Sequence, residues 1–286
     1  MKRWVSWKAG KKMVATRSTY KRRGLRYYCL DRCSKKRKRC WEDTKVVLRE
    51  MLLKRRRFLE NTRRLTEEEL RRLFETGSDE NHAIGIRYVE RKKAKGIVVC
   101  MPGMGGGLSG PSRLYEMVAR QRSFSTLILN TGYDPNVAKQ IATYAMMWLR
   151  KKNESLERVV LIGYSMGVAT AAHVVQENSD IIVGVCAVSS QSAHTNGLTK
   201  IKQGTRVLLL HHADDQILPR KDSADLIYQM LKSENIDTEL RIFGGKRHDE
   251  ENSSTGLESL REHTLFDEID GVFKSVRVFI REVLKP

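Results

Sequence analysis

Nowhere in the 286-residue chain does an apolar run approach the length that spans a membrane, and no secretory apolar stretch precedes a cleavage-like site. No internal repeat is visible, which excludes a solenoid or propeller. Cysteine is scarce. The five present are an odd number and do not read as a secreted disulfide framework. Cys29, Cys33 and Cys40 form a C-x3-C-x6-C spacing, but no histidine or fourth cysteine lies near enough to complete a zinc site. Residues 1–28 contain no acid at all, against ten Lys/Arg. No Gly-Lys-Ser/Thr follows a glycine loop, so there is no P-loop.

Charge divides the chain. Residues 1–75 hold 26 of the 53 Lys/Arg and 9 of the 34 Asp/Glu, a balance of +17 out of a total of +19. The rest is close to neutral, as an ordinary globular domain is. Three stretches are expected: a basic segment over 1–40, disordered or targeting; a helical extension over 41–76; and the main domain over 77–286. An acid-free, Arg-rich start with Ser6, Thr16, Ser18 and Thr19 reads equally as an organelle transit segment or as a solvated basic tail. The expected location is intracellular, cytoplasmic or organellar. Residues 44–64 place Val47/Leu48, Met51/Leu52 and Phe58/Leu59 on one helical stripe, with Lys54 to Arg57 on the other faces. Such an arm can brace the domain, or meet an anionic membrane surface or polyanion through residues 1–64. After it, Thr66 and Glu69 have the spacing of a capping box.

From residue 84 the pattern changes. Strand-like runs at 84–90, 97–101, 126–130, 159–162, 181–188, 206–212 and 238–243 alternate with helical stretches at 111–121, 136–151, 168–175, 221–232 and 266–284. Continuous apolar strands separated by amphipathic helices specify a mostly parallel sheet covered on both faces, an α/β fold. Cys100 and Cys186 fall inside such strands and are expected to be buried thiols.

One of these strands runs into Gly163-Tyr164-Ser165-Met166-Gly167 and then into a small-residue helix. Strand, sharp turn and helix around Gly-x-Ser-x-Gly form a nucleophile elbow, which lifts the serine clear of the sheet. A serine hydroxyl needs a base within hydrogen-bond reach, and the base needs an orienting acid. In open α/β sheets such groups sit at the carboxyl ends of strands. Asp214 and Asp215 follow the strand 206–212. His248 follows the strand 238–243 on a loop that opens with Gly244-Gly245. Other histidines fit less well. His263 is the rival base, but 258–264 reads as helix or loop far past the strand. His173 falls on the helix behind the elbow and reads as packing, His211 lies inside a strand as a satisfied core residue, and His194 is placed to line a pocket.

With Ser165, Asp215 and His248 in that order, the chain resembles the α/β-hydrolase superfamily over about residues 84–284. His211-His212-Ala213-Asp214-Asp215-Gln216-Ile217-Leu218-Pro219 is similar to that family's His-Gly-x-x-Asp-x-x-Val-Pro stretch, and this alignment assigns the acid to Asp215. Pro102-Gly103-Met104-Gly105 resembles its His-Gly-x-Gly loop. The resemblance implies an oxyanion hole from the backbone N–H groups of Met104 and Met166. Gly105, Gly107 and Gly110 also meet a dinucleotide spacing. However, the first lies four residues past the strand, and Asn130 stands where an acid is required. Only about seventeen residues join the strands ending at 188 and starting at 206, so no large lid domain is expected, though the polar segment 249–261 offers a flap or plain surface loop. The resulting expectation is a serine hydrolase of carboxylic ester, thioester or related acyl bonds, acting on a small-molecule or lipid acyl substrate with no cofactor and no metal. The alternative is a catalytically vestigial hydrolase-fold binding protein whose basic arm contacts an anionic partner.

Overall fold

The structure, a computed structural model, describes residues 2–5, 14–17, 65–79, 84–103, 112–131, 134–153, 156–245, 256–265 and 267–285. The amphipathic stretch 44–64 lies outside these residues, as do Cys29, Cys33 and Cys40. Two compact units are present, residues 1–61 and 62–286. In the first, β1 (Lys2–Val5) pairs antiparallel with β2 (Val14–Arg17).

The second unit begins with α1 (Glu67–Thr76). Its capping box is complete: Thr66 N–H donates to Glu69 Oε2 at 2.8 Å, and Glu69 N–H donates to Thr66 Oγ1 at 3.2 Å. The helix carries four Glu against two Arg, unlike the basic stretch before it, and its packing joins it to the main domain. Leu65, Leu70 and Leu73 join the main core, and Phe74 sets its ring 5.0 Å from Tyr144 and 5.5 Å from Trp148. Charge reports solvated side chains, whereas the boundary of a folded unit follows buried ones. Leu73 is almost fully buried. Leu73→Ala is therefore expected to destabilise the unit by about 2–5 kcal/mol. A lowered urea midpoint at unchanged slope would show it.

The strands are β3 (Ser78–Asp79), β4 (Ile84–Val89), β5 (Ile97–Met101), β6 (Ser125–Asn130), β7 (Val159–Tyr164), β8 (Ile182–Val188), β9 (Arg206–His212) and β10 (Asp237–Phe243). They form one eight-stranded sheet in the order β10-β9-β8-β7-β5-β6-β4-β3. All neighbours from β10 to β6 run parallel, while β4 is antiparallel to β6 and β3 to β4. The helices are α2 (Ser112–Ala119), α3 (Pro135–Lys152), α4 (Met166–Asn178), α5 (Ala224–Ser233), α6 (Gly256–His263) and α7 (Ile269–Val283).

Alternation along each strand divides the apolar side chains between two faces. Val99, Leu161, Val185 and Leu209 share a cluster with residues of α1, α3, α4 and α5. Val98, Ile162, Cys186 and Leu210 share the other with residues of α2 and α7. Both described cysteines, Cys100 and Cys186, are buried free thiols. Their burial pushes both thiols well above the ordinary range, so they stay protonated. Asp134 caps α3 by accepting from the N–H groups of Asn136 and Val137, with Pro135 at the first helical position.

The helix expected over 266–284 is α7, Ile269–Val283, and α6 precedes it, with Leu265 between them at φ 50°. One correction concerns the segment before it. The segment 249–261, read as flap or surface loop, is helical from Gly256 onward. The connection from β8 to β9 carries one short 3-10 turn, Asn196–Lys200, and no lid. No helix among the described residues is long and apolar enough to cross a membrane.

Candidate active site

β7 is buried along its whole length and ends at Tyr164. The chain then reverses in one residue. Ser165 has φ 51° and ψ −118°, a backbone conformation that costs a non-glycine residue about 1–3 kcal/mol and persists only where its surroundings enforce it. The flanking glycines explain how they do. A Cβ on Gly167 would lie 2.1 Å from the Met101 carbonyl oxygen, and one on Gly163 would lie 2.7 Å from Val168 Cα. The elbow is thus wedged against the end of β5 and the start of α4. Ser165 N–H donates to the Val188 carbonyl at 2.9 Å, tying the turn to β8 as well. Tyr115 fixes the same corner from α2 by donating its hydroxyl to the Met101 carbonyl at 2.8 Å.

At the carboxyl end of β9, Asp215 is 3% exposed. Its Oδ1 accepts the N–H groups of Ile217 and Leu218, each at 2.9 Å. Its neighbour Asp214 is only half-buried and spends its own N–H on His212 Nδ1. The two adjacent acids are therefore not equivalent. Only Asp215 is held by backbone donors and turned inward.

The imidazole between Asp215 and Ser165 belongs to His263. Its Nδ1 lies 2.8 Å from Asp215 Oδ2, and its Nε2 lies 3.2 Å from Ser165 Oγ. A carboxylate on Nδ1 requires the proton there, which leaves the Nε2 lone pair facing the serine hydroxyl. The residue is 5% exposed, and its ring tilts against Tyr164, with centroids 5.3 Å apart. Burial raises the Tyr164 hydroxyl far above its usual range, so this neighbour stays neutral.

His263, and not His248, is thus the imidazole seen against both partners. His248 lies outside the described residues. The physical reason is α6. This helix ends at His263 and returns the chain to the carboxyl edge of the sheet, so distance along the sequence from β10 is no measure of distance from Ser165. A histidine in the last turn of a short helix carries no local signature of that role. Three further histidines have other surroundings, and His82 lies outside the described residues. His173 contacts Thr143 Oγ1 at 3.2 Å and Glu177 at 3.5 Å on the surface between α3 and α4. His194 has φ 61° and is exposed. His211 is fully buried, with Nε2 on the Leu218 carbonyl at 2.9 Å, but its Nδ1 has no partner among the described residues. It is therefore only half satisfied.

Met166 opens α4, where the first four N–H groups have no intrahelical acceptor and the helix dipole favours negative charge. Met104 lies outside the described residues, while Pro102 and Gly103, just before it, are buried beside the elbow. No cluster of three or more His, Cys, Asp or Glu among the described residues is arranged to hold a metal ion.

The family model for phospholipases and carboxylesterases matches residues 135–265. A comparison with curated proteins finds no match. Among solved structures, the dienelactone hydrolase of Anabaena variabilis superposes with a TM-score of 0.55 at 16% identity, covering 73% of this chain and 96% of its own. Est1E from Butyrivibrio proteoclasticus superposes at 0.53 and 12% identity, covering 72% and 97%. At such identities the likeness establishes the fold.

Proposed function

We propose that the chain, which has the α/β-hydrolase fold and matches the phospholipase/carboxylesterase model over residues 135–265, is a serine hydrolase of carboxylic esters or related acyl bonds, with Ser165, His263 and Asp215 as its triad. The observation that carries this reading is the unbroken hydrogen-bond line Ser165 Oγ, His263 Nε2, His263 Nδ1, Asp215 Oδ2. His263 takes the Ser165 proton as Oγ attacks the acyl carbon, then returns it to the departing alcohol or thiol. Asp215 fixes the tautomer and stabilises the imidazolium that forms. A water then repeats the sequence on the acyl-enzyme, with His263 again as base.

The tetrahedral oxyanion needs donors already in place. Met166 N–H, at the start of α4, is one. The loop after β5, through Met104, is assigned the other on the family resemblance. Such a donor is worth about 2.7–4 kcal/mol of transition-state stabilisation. The short β8–β9 connection leaves the mouth without a lid domain, which suits a site open to substrates of varied acyl length. The rival reading, a vestigial fold that only binds, finds no support in a serine, a histidine and a buried acid still hydrogen-bonded in line.

An activated serine reacts irreversibly with fluorophosphonates. The protein is expected to be labelled stoichiometrically by such a probe and to hydrolyse p-nitrophenyl esters, with prior labelling abolishing turnover. Labelling at a residue other than Ser165, or undiminished turnover after complete labelling, would overturn the proposal.

A further inference from the structure

Asp215 must do more than be present. Its Oδ2 has to stay aimed at His263 while His263 gains and loses charge. Two backbone donors hold Oδ1, and both come from the turn 215–218. That turn is closed from beneath. His211, on β9 and completely buried, meets the Leu218 carbonyl through Nε2 at 2.9 Å, and Ser223 Oγ approaches the same carbonyl at 3.2 Å. Leu218 is therefore gripped on both sides: its N–H holds the acid, and its C=O is held by His211. The His211 Nε2 also lies 3.7 Å from Asp215 Oδ2, the oxygen that binds His263.

We propose that His211 is a positioning residue, whose Nε2–H anchors the Leu218 carbonyl and so fixes the direction of the Asp215 carboxylate toward His263. A carbonyl acceptor requires the proton on Nε2, which leaves Nδ1 bare, and Nδ1 has no partner among the described residues. A purely structural core site would be filled better by an apolar side chain, because an unpaired buried nitrogen is costly. The neighbouring strand tells the same story. Ser189 follows Val188, which pairs with Leu210, so Ser189 stands level with His211, and its buried Oγ also lacks a partner among the described residues. The polar content of this layer is retained in spite of its packing cost. Burial lowers the affinity of His211 for a second proton, although Asp215 and Asp225 oppose that and the His263 ring adds to it. A neutral His211 adds no charge to compete with the His263 imidazolium for Asp215.

The inference rests on the proposed triad, so the test includes Ser165→Ala. Full-length wild type, Ser165→Ala, His211→Leu and His211→Gln are compared for kcat, KM, the pH profile of kcat/KM and melting temperature, with a p-nitrophenyl ester as substrate. Glutamine can place its amide N–H near the position of Nε2. His211→Leu is expected to lower kcat at least tenfold with KM within twofold, and to move the acid limb of the profile to lower pH, because a loosened carboxylate supports the His263 imidazolium less well. His211→Gln is expected to recover most of both. If His211→Leu keeps wild-type kcat and profile, whatever its melting temperature, the positioning role is wrong. It is equally wrong if a folded His211→Gln is as impaired as His211→Leu. Turnover persisting in Ser165→Ala would instead bring down the triad, and with a distinct signature.

Discussion

Ser165→Ala is expected to lower kcat for a simple ester by about 10⁶-fold while the protein remains folded, which is the scale seen when a triad serine is removed and only binding and oxyanion stabilisation remain. The fold should tolerate the change. The turn at Ser165 is enforced by Gly163 and Gly167 and by the bond from its own N–H to Val188, none of which involves the hydroxyl. The side chain supplies no helix cap either. Active-site titration with a fluorophosphonate, alongside a circular dichroism melt, separates loss of the nucleophile from loss of structure. A folded variant that retains a tenth of wild-type turnover would remove Ser165 from the mechanism.

The second large effect belongs to His263. His263→Ala removes the one imidazole that, among the described residues, reaches both Ser165 Oγ and Asp215 Oδ2. Its loss is expected to cost nearly as much as loss of the serine, because triad members act as a unit. His248→Ala is expected to stay within a few-fold of wild type. Measuring the two variants side by side decides the identity of the base directly. If His248→Ala were the inactive one and His263→Ala the active one, the assignment would be reversed.

That pair also marks where the sequence stops being legible. Ser165 and Asp215, two members of the proposed triad, are readable as residues at the carboxyl edge, because Ser165 directly follows β7 and Asp215 lies three residues past β9. The choice of Asp215 over Asp214 came from likeness to a motif, and the burial of one and half-exposure of the other give it a physical basis. Sheet and helices were legible for the same reason, since apolar runs and amphipathic stretches alternate from residue 84 onward. The base was not. Twenty residues separate Phe243 from His263, and their path back to Ser165 is set by how α6 seats, which no local pattern encodes. Where the folded unit starts follows buried side chains and not the charge balance: Leu65, Leu70 and Leu73 place α1 in the main core.

The separation of 98 residues between Ser165 and His263 also bears on synthesis. A ribosome releases the elbow and β8 long before α6, and α7, which lines one face of the sheet, emerges later still. The parallel pairings among β5, β7, β8 and β9 join segments distant in sequence, a topology that folds slowly and leaves apolar strand faces bare in the meantime. On the proposed triad, a nascent chain presents Ser165 on a partly built sheet before the base that would arm it has been made. A chain stalled or cut before residue 263 is then expected to carry an inert serine and not to act as a stray acylating centre.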